Sequence, residues 1–306
     1  ENDSLRLDYA QIDYGFLSGN GYNAGIRAGR VKNPFGLFNE TRDVVFTRPG
    51  ILLPESIYLD REGLRNLLFS SDGGQLYGGI NIGDHYSSVV ITHGLNRNFT
   101  DLQKRVLTGG LNLPADVELS DFYVGRVEDE SNGGVWRNAF SFVHGDIDIM
   151  PNPGAPVSGH LGANFFVLSS RYNGERWSAT GEYSLIYTRG NYSLTGPIDS
   201  KSDGGYLQAD YRFNPQWSLM TRYEMSFSNR NDRDGRQYAS ATGGDRYSQF
   251  SRDATLGLKW LPDQHWGVWG EYHLIDGTSS VSPLDNVGRA PDDHWSMLLL
   301  MGAYRF

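Results

Sequence analysis

The chain has 306 residues, with no cysteine, 38 glycines, 18 tyrosines and a formal net charge of −9. The absence of cysteine excludes disulfides, thiolate catalysis and cysteine-bound metals, and the acidic balance argues against nucleic-acid binding, which needs a basic face. The sequence lacks the ~18-residue apolar run of a transmembrane helix, yet its mean hydropathy of −0.47 fits a transmembrane barrel, whose strands are half polar.

Alternating apolar and polar residues predict antiparallel β-strands along the whole chain. The predicted strands are 4–16, 24–33, 74–83, 86–95, 117–127, 134–146, 160–171, 177–188, 204–213, 217–228, 253–261, 265–275 and 294–306. Bacterial barrels usually have an even number of strands. We therefore expect about 14 strands, or 16 if a segment that precedes residue 1 is missing.

The hairpin of residues 203–228 shows the pattern most clearly, with alternation on both strands around a turn at 214–216. Its return strand has the ~9–11 residues that cross a bilayer at a tilt. A soluble, half-buried sheet also alternates. Large aromatic residues at both ends of nearly every apolar row, however, are typical of the interfacial girdles of a membrane barrel.

Short and long connections alternate along the chain. The short ones are 17–23, 83–86, 173–176, 214–216 and 262–264. The long, polar ones are 34–72, 96–115, 147–160, 189–203, 229–252 and 276–292. Membrane barrels of bacteria have short periplasmic turns and long extracellular loops, so this alternation predicts an up-and-down barrel with all short turns on one side.

The last strand ends on Phe306 and carries Tyr304, Gly302, Leu300 and Leu298 on one face, because side chains alternate along a strand. This ending resembles the outer-membrane β-barrel proteins of Gram-negative bacteria; the alternative is the last strand of a soluble sandwich. The resemblance implies location in the outer membrane and contact with membrane lipid and lipopolysaccharide. It also implies an assembly signal at Tyr304 and Phe306 for the barrel-assembly machinery.

A motif near the N-terminus resembles a narrower group. Residues 29–37 read Gly-Arg-Val-Lys-Asn-Pro-Phe-Gly-Leu, and residues 72–78 read Asp-Gly-Gly-Gln-Leu-Tyr-Gly. Both are similar to porin-like relatives of the phosphate-selective porin O and P group. The resemblance implies a homotrimer with passive diffusion pores.

Phosphate selectivity in that group rests on a ladder of basic residues, which this chain lacks. The charged residues predicted to face inward are Arg27, Arg212, Arg222 and Lys259 against Asp13, Asp210, Glu182, Glu224 and Glu271. A ring of one sign makes an ion filter, whereas this set is mixed. We therefore expect small hydrophilic solutes, with at most a modest cation preference.

The connection 34–72 is predicted to fold into the lumen as a constriction, since connections this long are usually functional or disordered. It is too apolar around residues 51–59 for a free loop. Its charged residues, which would line the pore, are Glu40, Arg42, Asp43, Arg48, Glu55, Asp60, Arg61 and Arg65. The alternative is a loop that caps the barrel mouth or forms a subunit contact.

Other chemistry has weak support. Residues 232–236 contain turn oxygens but lack the later Glu of a calcium loop, so a solvated turn is favoured. No metal spacing links the histidines, and His144 with Asp146 lacks an identifiable serine for a phospholipase triad. Residues 98–108 predict a short helix with Thr100 as its N-cap. We expect no enzyme activity, cofactor or metal.

The sequence thus predicts a single domain, 1–306, that forms an all-β transmembrane barrel and acts as a passive porin for small hydrophilic solutes or ions. One alternative is a structural barrel that is plugged by a partner protein or an N-terminal segment. A second alternative is a soluble β-protein that binds carbohydrate through exposed Trp and Tyr.

Overall fold

The computed structural model describes residues 7–59, 65–107, 114–153, 157–193, 196–282 and 291–306. Its strands are β1 Ala10–Gly19, β2 Tyr22–Lys32, β3 Ser70–Ile82, β4 His85–Gly94, β5 Arg97–Asn98, β6 Ala115–Ser131, β7 Trp136–Pro151, β8 Gly159–Asn173, β9 Trp177–Tyr192, β10 Gly196–Arg212, β11 Trp217–Phe227, β12 Phe250–Trp260, β13 Trp266–Asp276 and β14 His294–Tyr304. The helices are α1 Glu55–Tyr58, α2 Arg65–Phe69, α3 Asp101–Leu107 and α4 Arg236–Thr242.

The strands form one antiparallel meander in chain order, and the prediction of an up-and-down sheet of about 14 strands is confirmed. Each long strand pairs with its neighbours in sequence, except that the two-residue β5 pairs with β6 beside the main path. The connection between β2 and β3 hydrogen-bonds to side chains on strands from β6 to β13. The sheet therefore curves around this connection as a barrel. Within the described part of the chain, no helix is long and apolar enough to cross a bilayer.

The two faces of the sheet differ as the alternation predicts. Cross-strand partners such as Leu207 with Tyr223 and Leu256 with Tyr272 share the outward face, where all four are exposed. Their neighbours Gln208, Thr255 and Glu271, among other polar residues, are buried on the inward face. Exposed apolar side chains outside and polar ones inside are the reverse of a soluble protein and suit a membrane barrel.

Aromatic pairs form a girdle beside the short turns, as the sequence predicts. The rings of Trp177 and Tyr211 lie 4.5 Å apart, and those of Trp217 and Trp260 lie 5.5 Å apart. Trp266 packs against Tyr304 of the last strand at 5.0 Å. Because aromatic rings favour the membrane–water interface, this end of the barrel is placed at one surface of the bilayer.

The short turns are stabilised by glycine and by side-chain acceptors. Gly21 and Gly83 have φ of +90° and +65°, a conformation that suits glycine. At two later short turns, the Asn214 side chain accepts a hydrogen bond from the backbone N–H of Trp217, and Asp263 accepts one from that of His265. Such side-chain acceptors replace a backbone partner and favour a tight turn.

Two of the predicted long connections are wrong. Residues 189–192 and 196–203 belong to β9 and β10, which pair from Tyr192 and Gly196 onward, so only 193–195 connect these strands. Likewise β7 continues to Pro151 and β8 begins at Gly159. The extension of β10 over residues 196–203 is mainly polar on both faces, so it lacks the apolar–polar alternation that marks a strand in the sequence.

The helix predicted within residues 98–108 is confirmed as α3, Asp101–Leu107, although Asn98 belongs to β5 and residue 108 lies outside the described residues. The Thr100 hydroxyl accepts a hydrogen bond from the backbone N–H of Gln103 at 3.3 Å, and the Gln103 side chain accepts one from the N–H of Thr100 at 2.9 Å. This reciprocal arrangement is a capping box, which satisfies two donors that a helix N-terminus otherwise leaves unpaired.

Candidate functional site

The connection between β2 and β3 places apolar side chains against the inward face of the sheet. It covers residues 33–69, slightly shorter than the predicted 34–72 because β3 begins at Ser70. The ring of Phe35 packs edge-on against Phe165 of β8, with centroids 4.8 Å apart. The buried apolar residues of this connection include Phe35, Leu37, Phe38, Leu53, Ile57 and Tyr58. Their burial explains why this stretch is too apolar for a free loop.

Inward glutamates from three different strands hold the backbone of the connection. Glu182 of β9 accepts a hydrogen bond from the N–H of Leu37 at 3.0 Å. Glu224 of β11 accepts one from the N–H of Ser56 at 2.6 Å. Glu271 of β13 accepts one from the N–H of Ile51 at 2.6 Å. Strand parity puts all three carboxylates on the inward face, and we call them the anchor glutamates.

Glu182 has the most donors of the three. Besides Leu37, its carboxylate accepts from the hydroxyls of Tyr58, Tyr206 and Ser169, at 2.6, 2.8 and 2.6 Å. Burial, followed by the neighbouring carboxylate of Glu182, raises the pKa of Tyr58 well above its ordinary value. The Tyr58 hydroxyl therefore stays protonated and can donate. Hydrogen bonds to a charged acceptor are the stronger class, so Glu182 is the main attachment of the connection.

Most charged side chains at the start of the connection are paired. Lys32 bonds to Asp43 at 2.8 Å, and Glu40 bonds to Arg126 of β6 at 2.6 Å. The fully buried Arg42 donates to the side chain of Asn39 and to the carbonyl of Tyr58. These contacts fix the shape of the connection, and they show that its charges do not simply face solvent.

Below the connection lies a polar cavity of about 180 Å³. Residues 46–49 of the connection form one side of it, and inward residues near the short turns form the rest. Its charged lining residues are Arg48, Arg171, Arg212, Lys259 and Asp210. We call this space the basic cavity, because four of its charged residues are basic and one is acidic.

The cations of the basic cavity are only partly compensated. Asp210 accepts hydrogen bonds from the amide of Gln208 at 3.1 and 3.2 Å. Within the described residues, neither Arg171 nor Lys259 has a carboxylate within 4.0 Å. The Arg171 Nε is buried there without a hydrogen-bond partner. A positive field in a confined space attracts small anions.

The structure separates the predicted pore residues into groups. Four of them, Arg48, Asp210, Arg212 and Lys259, line the basic cavity. Arg222 donates to the carbonyl of Leu52 and so joins the anchor glutamates beneath the connection.

The remaining predicted residues lie apart from the cavity. Arg27 on β2 bonds to Asp13 and Gln75, Glu55 begins α1, and Arg65 stacks on Phe69 at 5.5 Å. Asp60 and Arg61 lie outside the described residues.

Arg171 is the charged cavity residue that the sequence did not identify. It ends the predicted strand 160–171 and lies two residues after Ser169, which is buried on the inward face. Because every second residue of a strand lies on the same face, Arg171 is expected to face the lumen as Ser169 does. The alternation along β8 therefore predicts the position of Arg171.

The side chains of the candidate catalytic pair and of the candidate calcium turn make hydrogen bonds to other residues. His144 Nδ1 lies 3.0 Å from the Asn164 side chain, while its Nε2 lies 3.9 Å from Asp146. The Asp232 carboxylate accepts backbone hydrogen bonds from Gln237 and Tyr238 at the start of α4. Among the residues that the structure places, no group of three or more His, Asp or Glu is arranged to hold a metal.

Comparisons with known proteins support the fold. No protein-family profile matches the sequence, and neither does any curated protein sequence. The chain is similar to the outer membrane channel DcaP of Acinetobacter baumannii, with a TM-score of 0.56 and 10% identity over 96% of this chain and 83% of that one. It is also similar to in-vitro folded OmpT, an outer membrane protein of Vibrio cholerae, with a TM-score of 0.52 and 11% identity over 96% and 88% of the two chains. At such identities the shared property is the outer-membrane β-barrel fold.

Proposed function

We propose that this protein is an outer-membrane channel through which small hydrophilic solutes diffuse passively. The observation that carries the proposal is the basic cavity, a polar space of about 180 Å³ between the β2–β3 connection and the short-turn end of the barrel. The connection narrows the lumen, and the solute passes between it and the polar wall. The process needs no chemistry and no cofactor.

The solutes we propose are small anions, in place of the modest cation preference expected from the sequence. That expectation counted Glu182, Glu224 and Glu271 as pore charges. Each of these carboxylates instead accepts backbone N–H groups of the connection and is buried. The charges left around the basic cavity are mainly cations, so the local field favours anions even though the whole chain is acidic.

The proposal includes location in the outer membrane of a Gram-negative bacterium, contact with lipid and lipopolysaccharide, and assembly as a homotrimer. The barrel fold and the aromatic girdle support the location. Membership of the phosphate-selective porin O and P group rests on the motif at residues 29–37, and the structural likeness does not single out that group. We therefore propose kinship with it, and we leave its phosphate selectivity aside.

Single-channel recording in planar bilayers tests the proposal. Purified protein should insert and give conductance steps of regular size. In a KCl gradient the zero-current potential should move toward the equilibrium potential of chloride. A folded barrel that inserts and stays silent would contradict the channel and favour the structural barrel. A shift toward potassium would keep the channel but contradict the anion preference.

Replacing Phe306 by alanine should reduce assembly without weakening the finished barrel. Phe306 is fully exposed and follows the end of β14, so its side chain adds little to the folded state. A surface change of this kind usually alters the free energy of unfolding by less than ~0.5 kcal/mol. The measurements are the amount of folded protein in the outer membrane and the urea stability of the refolded protein. Equal membrane amounts for both chains would contradict a role as assembly signal.

A further inference from the structure

A groove runs along the outward, lipid-facing side of β8 to β11. Its extracellular half has a volume of about 380 Å³ and its other half about 650 Å³. Small outward residues on two neighbouring strands form the floor, at Ala179 and Gly181 of β9 and Gly205 and Ala209 of β10.

Larger side chains stand on both sides of this floor. Leu168 of β8 and Tyr223 of β11 form the two walls. A Cβ at Gly181 would lie 2.9 Å from the side chain of Leu207, and one at Gly205 would lie 2.7 Å from the carbonyl of Glu182. The carbonyl close to Gly205 leaves no room for a side chain there and keeps that part of the floor low, whereas the space over Gly181 is taken by the exposed side chain of Leu207, which stands in the middle of the floor. The groove therefore forms both because β9 and β10 pack closely and because the residues on its floor are small.

The groove ends on a buried polar group at its extracellular end. Asp203 of β10 is only 4% exposed and lines the groove. Its Oδ2 accepts a hydrogen bond from the Tyr183 hydroxyl at 2.8 Å and also contacts the Arg233 guanidinium. Its Oδ1 is buried and has no hydrogen-bond partner among the described residues. A buried acceptor without a donor is costly, so this atom indicates a missing donor in the groove.

Basic side chains surround the same end. The Arg233 side chain is 47% exposed beside Asp203. Arg230 lies near Tyr183, and its backbone N–H bonds to the carbonyl of Lys201. Arg233 itself lies over the ring of Phe227 at 4.8 Å. The end of the groove thus offers cationic groups at the level where the headgroups of the outer leaflet lie.

We propose that this groove binds one phosphorylated acyl glycolipid of the lipid A type from the outer leaflet. One acyl chain lies along Gly181, Gly205 and Ala209, and a phosphate contacts Arg233. An amide or hydroxyl group of the glycolipid donates to Asp203 Oδ1. The seven residues from Asp203 to Ala209 span roughly 20 Å, since they are separated by six steps of ~3.3 Å. This length accommodates an acyl chain that crosses one leaflet, about half of the ~30 Å hydrocarbon core.

Charge complementarity favours this occupant over a second copy of the chain. A phosphate supplies the anion that Arg233 and Arg230 can bind, and the acyl chain matches the apolar walls. The outward band of a second barrel would cover the walls with apolar side chains, as exposed Leu256 and Leu274 illustrate, but it would bring no anion to the basic end.

Native mass spectrometry of the delipidated barrel with added bisphosphorylated lipid A tests the proposal. We expect one tightly retained molecule per chain. Arg233→Ala should weaken retention about tenfold through loss of a charge-assisted contact, and Ala209→Phe should weaken it by filling the groove. Two matched controls on β2 should keep normal retention: Arg30→Ala, which removes an arginine paired with Asp72 at 2.7 Å, and Ala28→Phe, at an exposed alanine.

Three results would overturn the proposal. The first is equal retention by the groove variants and the controls, once each variant is shown to be folded by its resistance to unfolding in detergent. The second is equal retention of phosphatidylglycerol, which would make the site one for any anionic lipid. The third is a barrel dimer that the groove variants disrupt while lipid A has no effect, which would assign the groove to a second copy.

Discussion

Replacing Glu182 by alanine is expected to release the β2–β3 connection from the barrel wall and to raise the single-channel conductance. The variant removes the acceptor of four hydrogen bonds, from Leu37, Tyr58, Ser169 and Tyr206. A hydrogen bond to a charged group contributes ~1.5–3 kcal/mol. The loss should therefore exceed about 3 kcal/mol, which changes the docked population of the connection more than 100-fold.

The physical reason for a change in conductance is the position of the connection. With its backbone held by Glu182, Glu224 and Glu271, the connection occupies space that ions would otherwise cross. Once Glu182 is lost, Glu224 and Glu271 still hold residues 51–56. Residues 35–38 keep the hydrogen bonds of Gly36 with Ser141 and Arg126 but lose their carboxylate acceptor, so this part of the connection is held less tightly. We expect larger conductance steps with more open-channel noise, recorded in planar bilayers from refolded protein.

Two further variants make this result interpretable. Glu182→Gln keeps the shape and one acceptor oxygen but loses the charge, so we expect a smaller rise. Glu175→Ala removes an exposed glutamate from a short turn and should leave the conductance unchanged. If Glu182→Ala folds and conducts like the unmodified protein, the connection is not the constriction.

The fold could be predicted because every strand of a membrane barrel repeats one local pattern, in which outward apolar residues alternate with inward polar ones. In β10 and β11 the outward row, with Leu207 opposite Tyr223, and the inward row, with Gln208 opposite Arg222, each follow directly from period-two alternation. The short turns carry their own signals, such as glycine at residues 21 and 83 and an acceptor side chain at Asn214. None of these features depends on contacts between distant parts of the chain.

The strand ends could not be predicted where that rule stops. Residues 196–203 of β10 pair with β9 but extend beyond the apolar band, so polar residues occupy both faces. Backbone hydrogen bonds, which any residue can make, hold this part of the sheet. An interpretation based on side-chain patterns therefore assigned it to a loop.

The interior site could be predicted only in part, because its contacts join residues far apart in sequence. Ile51 bonds to Glu271 across 220 positions, and Leu37 bonds to Glu182 across 145. Alternation predicts that these glutamates face inward, but it carries no information about their partners. If these glutamates are treated as pore charges, a modest cation preference is expected. Because they instead accept hydrogen bonds from the connection, we propose an anion preference.

Replacing Arg171 and Lys259 together by glutamine should strongly reduce the anion preference of the channel. Both side chains line the basic cavity, and Lys259 lies over the ring of Trp269 at 5.5 Å rather than beside a carboxylate. Two unit charges about 4 Å apart interact by ~1 kcal/mol even in water, and by more in a confined lumen. Each removed cation should therefore lower the chloride-to-potassium permeability ratio by roughly fivefold.

The measurement is the zero-current potential across a bilayer with a KCl gradient, compared at low and high total salt. Since mobile ions screen fixed charges over a length of ~10 Å at 0.1 M and ~3 Å at 1 M, the difference between the chains should shrink as salt rises. Arg189→Gln is a matched control, because this exposed arginine pairs with Asp199 near the extracellular end of β9. An unchanged zero-current potential in the double variant would mean that ions bypass the basic cavity, and the pore would then lie elsewhere in the lumen.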